Sequence, residues 1–413
     1  MSSYPSSVPP PKTTLRQRLA DLRGPAVPPR PLDARALAAL AANPGCGRRA
    51  LLDGAGVDKT ALATALGTAA AFGQSQFAIV RGHSFEAAVK GDGGSALLRL
   101  VHDRLGAGSE PPGRSARVPD LSAAGPEGRA GRTALALREA TEAALTEGVW
   151  TLLDHPMLAL EVAGTPAYLE PDAIVAHPDG RWTVVEIKSF PMIDGTADPA
   201  KVGAAARQAA VYVLALEKTA ARLEGAEVAH RALLVCPKDF SNLPTAAVLD
   251  IRKQRAVTRR QLDRLTRVED LAAGLPEGLS FDPSRPAEEL AEAVGAVAAA
   301  YAPDCLAACE LAFHCRERAR EDGSVTVLGR SVRAELGVLT TVGEALAAAD
   351  GTPAPPAPAE CAADTDRAPG GAEQDPTVEA LRYAARLRAE ALHIAGTPGA
   401  RPQHRPEAPE CPC

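Results

Sequence analysis

Two carboxylates and a lysine placed around a tight turn carry the first chemical signal in this chain. In "EPDAIVAHPDGRWTVVEIKSF", Glu170 to Phe190, the "HPDG" run is a turn signature between two apolar stretches, with Asp172 on the first and Glu186 and Lys188 on the second. Strand side chains alternate faces, so Glu186 and Lys188 share one face, while Val184, Val185 and Ile187 supply burial. The turn brings Asp172, read as the middle of its strand, beside Glu186. Two carboxylates held together repel unless a cation lies between them. Hard divalent ions such as Mg2+ or Mn2+ bind through one or two carboxylates completed by substrate phosphates. A neighbouring ammonium then orients the attacking water or stabilises charge on the phosphate. The chemistry is phosphodiester hydrolysis. The competing reading is a solvated Glu/Lys ion pair on a strand face.

Downstream, Gln208 and Tyr212 in "ARQAAVYVLALEK" are spaced i, i+4 and share one face of an Ala-rich helix that follows the candidate strand. Taken together, "EPD", "EIK" and "QAAVY" resemble the motifs of the RecB-like branch of the PD-(D/E)XK nuclease superfamily. The resemblance spans Cys46 to Cys315. It implies a restriction-endonuclease-like α/β core, a mixed central sheet flanked by helices, with a helical cysteine-bearing subdomain. It also implies a site in which Asp172, Glu186, Lys188, Gln208 and Tyr212 act together. A fourth element in that superfamily is a His or Glu on an earlier helix, after a glycine. Here "RGHSFEAAV" offers Gly82 with Glu86 as the preferred metal ligand and His83 as the alternative.

The cysteines point the same way. "CLAACELAFHC" holds Cys305, Cys309 and Cys315, and Cys46 stands alone upstream. Four thiolates suit a [4Fe-4S] cluster or a structural Zn2+. The iron-sulfur subset of RecB-like nucleases, which includes CRISPR-associated adaptation nucleases and AddB-type domains, joins one early cysteine to three late ones. The spacing of Cys305 and Cys309 departs from the commoner pattern, and a zinc site using His314 is the rival. Cys236 reads as a buried thiol, and Cys361, Cys411 and Cys413 lie in low-complexity segments.

A basic stretch, "IRKQRAVTRRQLDRLTRVEDL", supplies a substrate footprint. Arg252, Lys253, Arg255, Arg259, Arg260, Arg264 and Arg267 crowd it, few acids adjoin them in sequence, and the chain as a whole carries a net charge of -6. Such a helix binds phosphates through counterion release, with salt-sensitive, sequence-independent affinity. With aromatics at 3%, base stacking is a minor term.

These residues need elements to hold them. The order read from periodicity and turn signals is a helical region from Leu32 to Ala71, a short apolar run and helix start at "FAIVRGHSFEAAV", an exposed insertion from Gly106 to Gly131, and a helix from Arg132 to Glu147. Three closely spaced strands follow as a meander, then a helix from Asp198 to Lys218, the strand "HRALLVCPK", and a long helix from about Ala247 to Ala273. The domain reading is a disordered arm over 1–30, a nuclease domain over 31–330 that includes the cysteine region, and a strand-helix extension over 331–349. A linker over 350–376, a lone helix over 377–396 and a disordered tail over 397–413 complete it.

The length of 413 residues and 46% hydrophobic content fit a globular protein, while 36 prolines, 35 glycines and only 3% aromatics suggest that part of the chain is unstructured. No run approaches a membrane span and the start lacks a secretory apolar core, so the expected location is the cytoplasm. The expected partner is DNA, cut as an exonuclease at ends or on single strands in repair, recombination or defence. The alternative is a catalytically silent nuclease-fold scaffold. No Gly-x-x-x-x-Gly-Lys-Ser/Thr loop is present, so any helicase or defence-complex subunit would be separate.

Overall fold

The computed structural model describes residues 14–68, 76–106, 111–112, 116–163, 165–239, 241–265, 267–352 and 375–396. Helices come first: α1 Leu15–Arg23, α2 Ala34–Ala42, α3 Gly47–Ala55, α4 Lys59–Ala65, α5 Gln76–Lys90, α6 Ser95–Leu105 and α7 Gly125–Glu147. Five strands follow, β1 Thr151–Asp154, β2 Leu158–Val162, β3 Thr165–Leu169, β4 Ala173–Ala176 and β5 Arg181–Ile187, and then α8 Pro199–Ala220. Strands β6 Glu227–Val228, β7 Arg231–Pro237 and β8 Pro244–Asp250 lead into α9 Arg252–Leu262, α10 Val268–Ala273, α11 Ala287–Gly295 and α12 Ala312–Glu321. The last helices are α13 Arg330–Glu335, α14 Val342–Asp350 and α15 Pro376–Gly396.

The chain divides into two units. The first runs to Ala300 and includes Asp304–His314; the second takes Tyr301–Pro303 and the chain from Cys315 onward. In the first, a mostly antiparallel sheet has the order β1-β4-β5-β7-β8, with β6 beside the start of β5. Strand β5, "RWTVVEI", is central because its aromatic and β-branched residues are buried on both faces. Its pairing with β7 is parallel, which demands a crossover, and α8 provides it. Helix α8 starts where Asp198 caps the backbone N–H of Ala200 and Lys201 and Pro199 takes the first turn, and it continues through alanines. At the β4–β5 turn Gly180 is left-handed (φ 81°), and a side chain there would meet the Gly225 carbonyl at 2.5 Å.

Helices cover both faces. Leu37 and Leu40 of α2, Leu137 and Ala140 of α7 and Ala209 and Val213 of α8 pack with Ile174, Trp182 and Val184. Opposite them, Phe85 and Val89 of α5 and Leu97 and Val101 of α6 pack with Val175, Val185 and Val235. Trp182 donates its indole N–H to Thr141 Oγ1 at 3.0 Å, which satisfies the one polar atom of that buried ring. The architecture is mixed α/β, a mostly antiparallel sheet flanked by helices. In the second unit, α14 opens on a capping box between Thr341 and Glu344 and packs against α15, where Arg382 reaches the Ala348 carbonyl.

Several expectations are corrected. The segment "AYLEPDAIVAH" is two strands, because Glu170-Pro171-Asp172 breaks it: β3 pairs with β2 in a separate hairpin, and β4 joins the main sheet. Proline cannot donate to a ladder, so the break falls there. Asp172 therefore precedes β4 and is not mid-strand. Strand β1, which the three-strand meander omits, pairs with β4. Residues 247–250 belong to strand β8, and the long helix expected after them is the shorter pair α9 and α10. Residues 14–30 are not a disordered arm: Leu22 is wholly buried and its carbonyl accepts from Phe281 N, while Arg18 caps the Leu275 and Pro276 carbonyls. A separate cysteine-bearing subdomain is not shown, since Cys46, Cys305 and Cys309 fall in the first unit and Cys315 in the second. The start of the arm, most of the linker, the tail, and with them Cys361, Cys411 and Cys413, lie outside the described residues.

Candidate active site

The register Ala173↔Val185 and Ile174↔Val184, continued by one step, sets Asp172 across from Glu186. The backbone N–H of Ile187 donates to Asp172 Oδ2 at 2.6 Å and fixes that carboxylate at the end of β5. By strand alternation Asp172, Glu186 and Lys188 project toward the face that also buries Ile174, Trp182 and Val184, which α8 covers. Tyr212 on α8 donates to the Glu170 carbonyl at 3.1 Å, and Gln208 donates to the Tyr212 hydroxyl at 2.9 Å. The five residues expected to act together therefore surround one short stretch, Glu170-Pro171-Asp172 and the end of β5.

Glu186 is the unusual member. It is 0% exposed, and neither of its carboxylate oxygens accepts a hydrogen bond. The Lys188 ammonium contacts Oε1 as an ion pair but without hydrogen-bond geometry. Burial pushes its carboxyl up to about 7; Lys188 opposes the shift and Asp172 adds to it. Burial also raises Asp172, against the pull of Lys188. For Lys188, burial works against the charge, but Glu186 and Asp172 hold its pKa above the ordinary lysine value. The Tyr212 hydroxyl is raised well above its usual range by burial and by the Glu186 charge, so it stays protonated as a donor.

Of the two candidates on α5, Glu86 joins this cluster and His83 does not. His83 is exposed, whereas Glu86 adds to the negative potential on both Asp172 and Glu186. Glu86 is also held by Lys90 at 2.6 Å and by His155 Nε2 at 2.9 Å. Burial opposes its charge, yet these two partners bring its carboxyl down to about 2. His155 in turn meets Asp154 through Nδ1 at 3.0 Å, and its bonds to Asp154 and Glu86 raise it to about 10. Arg129 bridges the His155 carbonyl at 2.9 Å and the Glu170 carboxylate at 2.6 Å. Lys90, Arg129, Asp154 and His155 escaped the sequence reading; the usable signals were the i, i+4 spacing of Glu86 and Lys90 and a "DHP" turn closing a strand.

The residues suit a divalent cation. A buried carboxylate is costly even with one ammonium against it, and Glu186 beside Asp172 gives the two oxygen-bearing ligands such an ion uses when substrate phosphates complete its shell. Among the described residues no three His, Cys, Asp or Glu side chains stand together as a complete metal cage. That statement includes the cysteines. Cys46 begins α3, and Cys305 accepts a 3.5 Å hydrogen bond from Asn43 Nδ2. Arg48 and Arg49 tie α3 to the carbonyls of Val297 and Ala308. Cys236 is buried, its thiol pushed up to about 12 by desolvation, as expected of an inert core cysteine.

The basic helix α9 is less free to bind phosphate than its sequence implied. Glu217 of α8 pairs with both Arg255 and Arg259, and Asp250 pairs with Arg252 at 2.5 Å. Asp250 adjoins Arg252 in sequence, whereas Glu217 arrives from α8. Lys253, Arg260 and Arg264 are exposed and carry no ion pair among the described residues. No described helix is long and apolar enough to cross a membrane.

No protein-family model matches this chain, and no curated protein does. Among solved structures, a crystal structure described as "Putative exonuclease" from Eubacterium rectale aligns at 12% identity and TM-score 0.30, covering 60% of this chain and 83% of its own. At that TM-score the likeness carries no weight for fold or function.

Proposed function

We propose that this protein is a divalent-metal-dependent nuclease that hydrolyses phosphodiester bonds in DNA. One observation carries the reading: a wholly buried glutamate, Glu186, with two oxygens that accept no hydrogen bond, stands beside Asp172 and Lys188. Asp172 and Glu186 would hold Mg2+ or Mn2+, with Glu86 adjoining. Such an ion supplies charge neutralisation at the phosphate and a more acidic water. The chain's own groups do the rest. The Ile187 N–H aims Asp172; Lys188 offers an ammonium to the developing charge; Gln208 and Tyr212 fix the Glu170 carbonyl and thereby the approach to Asp172. Of the exposed cations on α9 and just after it, Lys253, Arg260 and Arg264 are the ones available for the substrate backbone.

The test is cleavage of end-labelled single- and double-stranded DNA with Mn2+ or Mg2+, comparing the protein with Glu186→Gln. Glu186→Gln is expected to lower the rate by about a hundredfold to a thousandfold, the scale of losing a principal electrostatic group, while DNA binding in gel shift persists. Cleavage retained by the pure variant overturns the assignment.

A further inference from the structure

Lys90 stands where three elements meet. Its ammonium contacts Glu86 Oε1 at 2.6 Å on its own helix, Asp154 Oδ1 at 2.6 Å at the end of β1, and the Asp172 backbone carbonyl at 2.7 Å before β4. An ammonium has three protons, so three acceptors complete its strong bonds. Resting on the cation site described above, we propose that Lys90 is a positioning residue for that site, setting both the Glu86 carboxylate and the turn that presents Asp172.

A further observation favours a positional role: the backbone of His155 is left-handed at φ 46°. A non-glycine residue there stores on the order of 1 kcal/mol or more and persists only where its surroundings over-determine it. His155 is so determined. Its N–H donates to the Asp172 carbonyl at 3.3 Å, its own carbonyl accepts from Arg129, and both ring nitrogens face carboxylates. The Asp172 carbonyl thus receives two donors, Lys90 and His155, on the side opposite the one where Ile187 holds the side chain. An arrangement that grips the backbone of one candidate ligand and the side chain of another serves placement.

The experiment is direct Mn2+ binding to the full chain by calorimetry, with the Mn2+ dependence of DNA cleavage measured in parallel, for Lys90→Met, Lys90→Arg and His155→Asn. Lys90→Met is expected to raise the Mn2+ concentration at half saturation about tenfold, while cleavage at saturating Mn2+ falls much less. Lys90→Arg keeps the charge and part of the reach and restores most of the affinity. Should Lys90→Met not fold, His155→Asn decides on the same criterion, because asparagine tolerates the left-handed backbone but cannot face both carboxylates; a threefold rise is expected. Unchanged or tighter Mn2+ binding in a folded variant, with only the melting temperature lowered, makes Lys90 a strut or a like-charge neighbour and overturns the proposal. If the unsubstituted protein binds Mn2+ through Glu186 but does not cleave DNA, the nuclease reading fails and the role of Lys90 stands. If it binds no Mn2+, both fail together.

Discussion

The charges at the end of β5 and those along α9 are handled in opposite ways. Glu186 is buried with neither oxygen hydrogen-bonded, whereas the arginines of α9 stand in or near solvent and three of the four are matched by Glu217 and Asp250. Exposed, paired charge costs little and implies little, since surface ion pairs contribute about 0–1 kcal/mol. A buried carboxylate shared with Asp172 and opposed only by the Lys188 ammonium is expensive, and protonation or a bound cation relieves it. The acidic site therefore makes the stronger statement about function, even though the basic helix is the more conspicuous in sequence.

The sharpest way to break this contrast is to measure what relieves Glu186. Its folded pKa, about 7, lies above the ordinary glutamate value of 4.5. Between pH 6 and 8 the folded state therefore holds a proton that the unfolded chain has released, and stability from this group falls as pH rises. In chelator, the Glu186 part of the gain from pH 8 to pH 6 should be about 1.4 kcal/mol, the equivalent of one pKa unit; His155, raised to about 10, adds its own gain in the same window. Mn2+ at a hundred times its dissociation constant should add about 2.7 kcal/mol at pH 8. The Glu186 part and the Mn2+ gain should vanish in Glu186→Gln while the His155 part remains, with denaturant midpoints as the readout. A Glu186→Gln variant with the full original pH slope would show that the relief lies elsewhere.

On α9 the contrast can be sharpened by asking which cations reach DNA. Lys253→Ala, Arg260→Ala and Arg264→Ala should each lower the slope of log affinity against log salt by about 0.9, the value for one phosphate contact. Arg255→Ala and Arg259→Ala should change it less, because Glu217 already neutralises them. Equal slopes for all five variants would mean that the Glu217 pairs open on binding, or that α9 does not touch DNA. A fluorescence-anisotropy salt titration separates these cases, since only the first leaves all five slopes reduced.

What the sequence disclosed follows from how far each interaction reaches along the chain. The Asp172, Glu186 and Lys188 group was legible because a four-residue turn makes its contacts local, and Gln208 and Tyr212 were legible because helical spacing puts them on one face. The break at Pro171 was not read, though the proline was visible, because the apolar residues on either side suited one uninterrupted strand. Glu217 as the partner of Arg255 and Arg259 lies 38 and 42 residues away in sequence, across a strand pair, and nothing local announces it. Lys90 and Asp154 are similarly remote. Only the fold brings them together, with Lys90 contacting both Asp154 and the Asp172 carbonyl.

The smallest effect discriminates most finely among the acidic-site residues. Tyr212 donates to the Glu170 carbonyl and accepts from Gln208, both within the buried face of α8. Tyr212→Phe keeps the ring and its packing but leaves that carbonyl and the Gln208 amide without partners. The loss should be about 1 kcal/mol of stability, the usual net worth of such a bond. If the hydroxyl matters only to folding, cleavage at saturating Mn2+ should be unchanged once the population of folded protein is accounted for. If it holds Glu170-Pro171-Asp172 in place for chemistry, the cleavage rate should drop severalfold beyond that correction, with Gln208→Ala showing the same drop and the double variant no more. Non-additivity of that kind is the signature of two side chains acting through one carbonyl, and it would tie α8 to the carboxylates that Glu186 anchors.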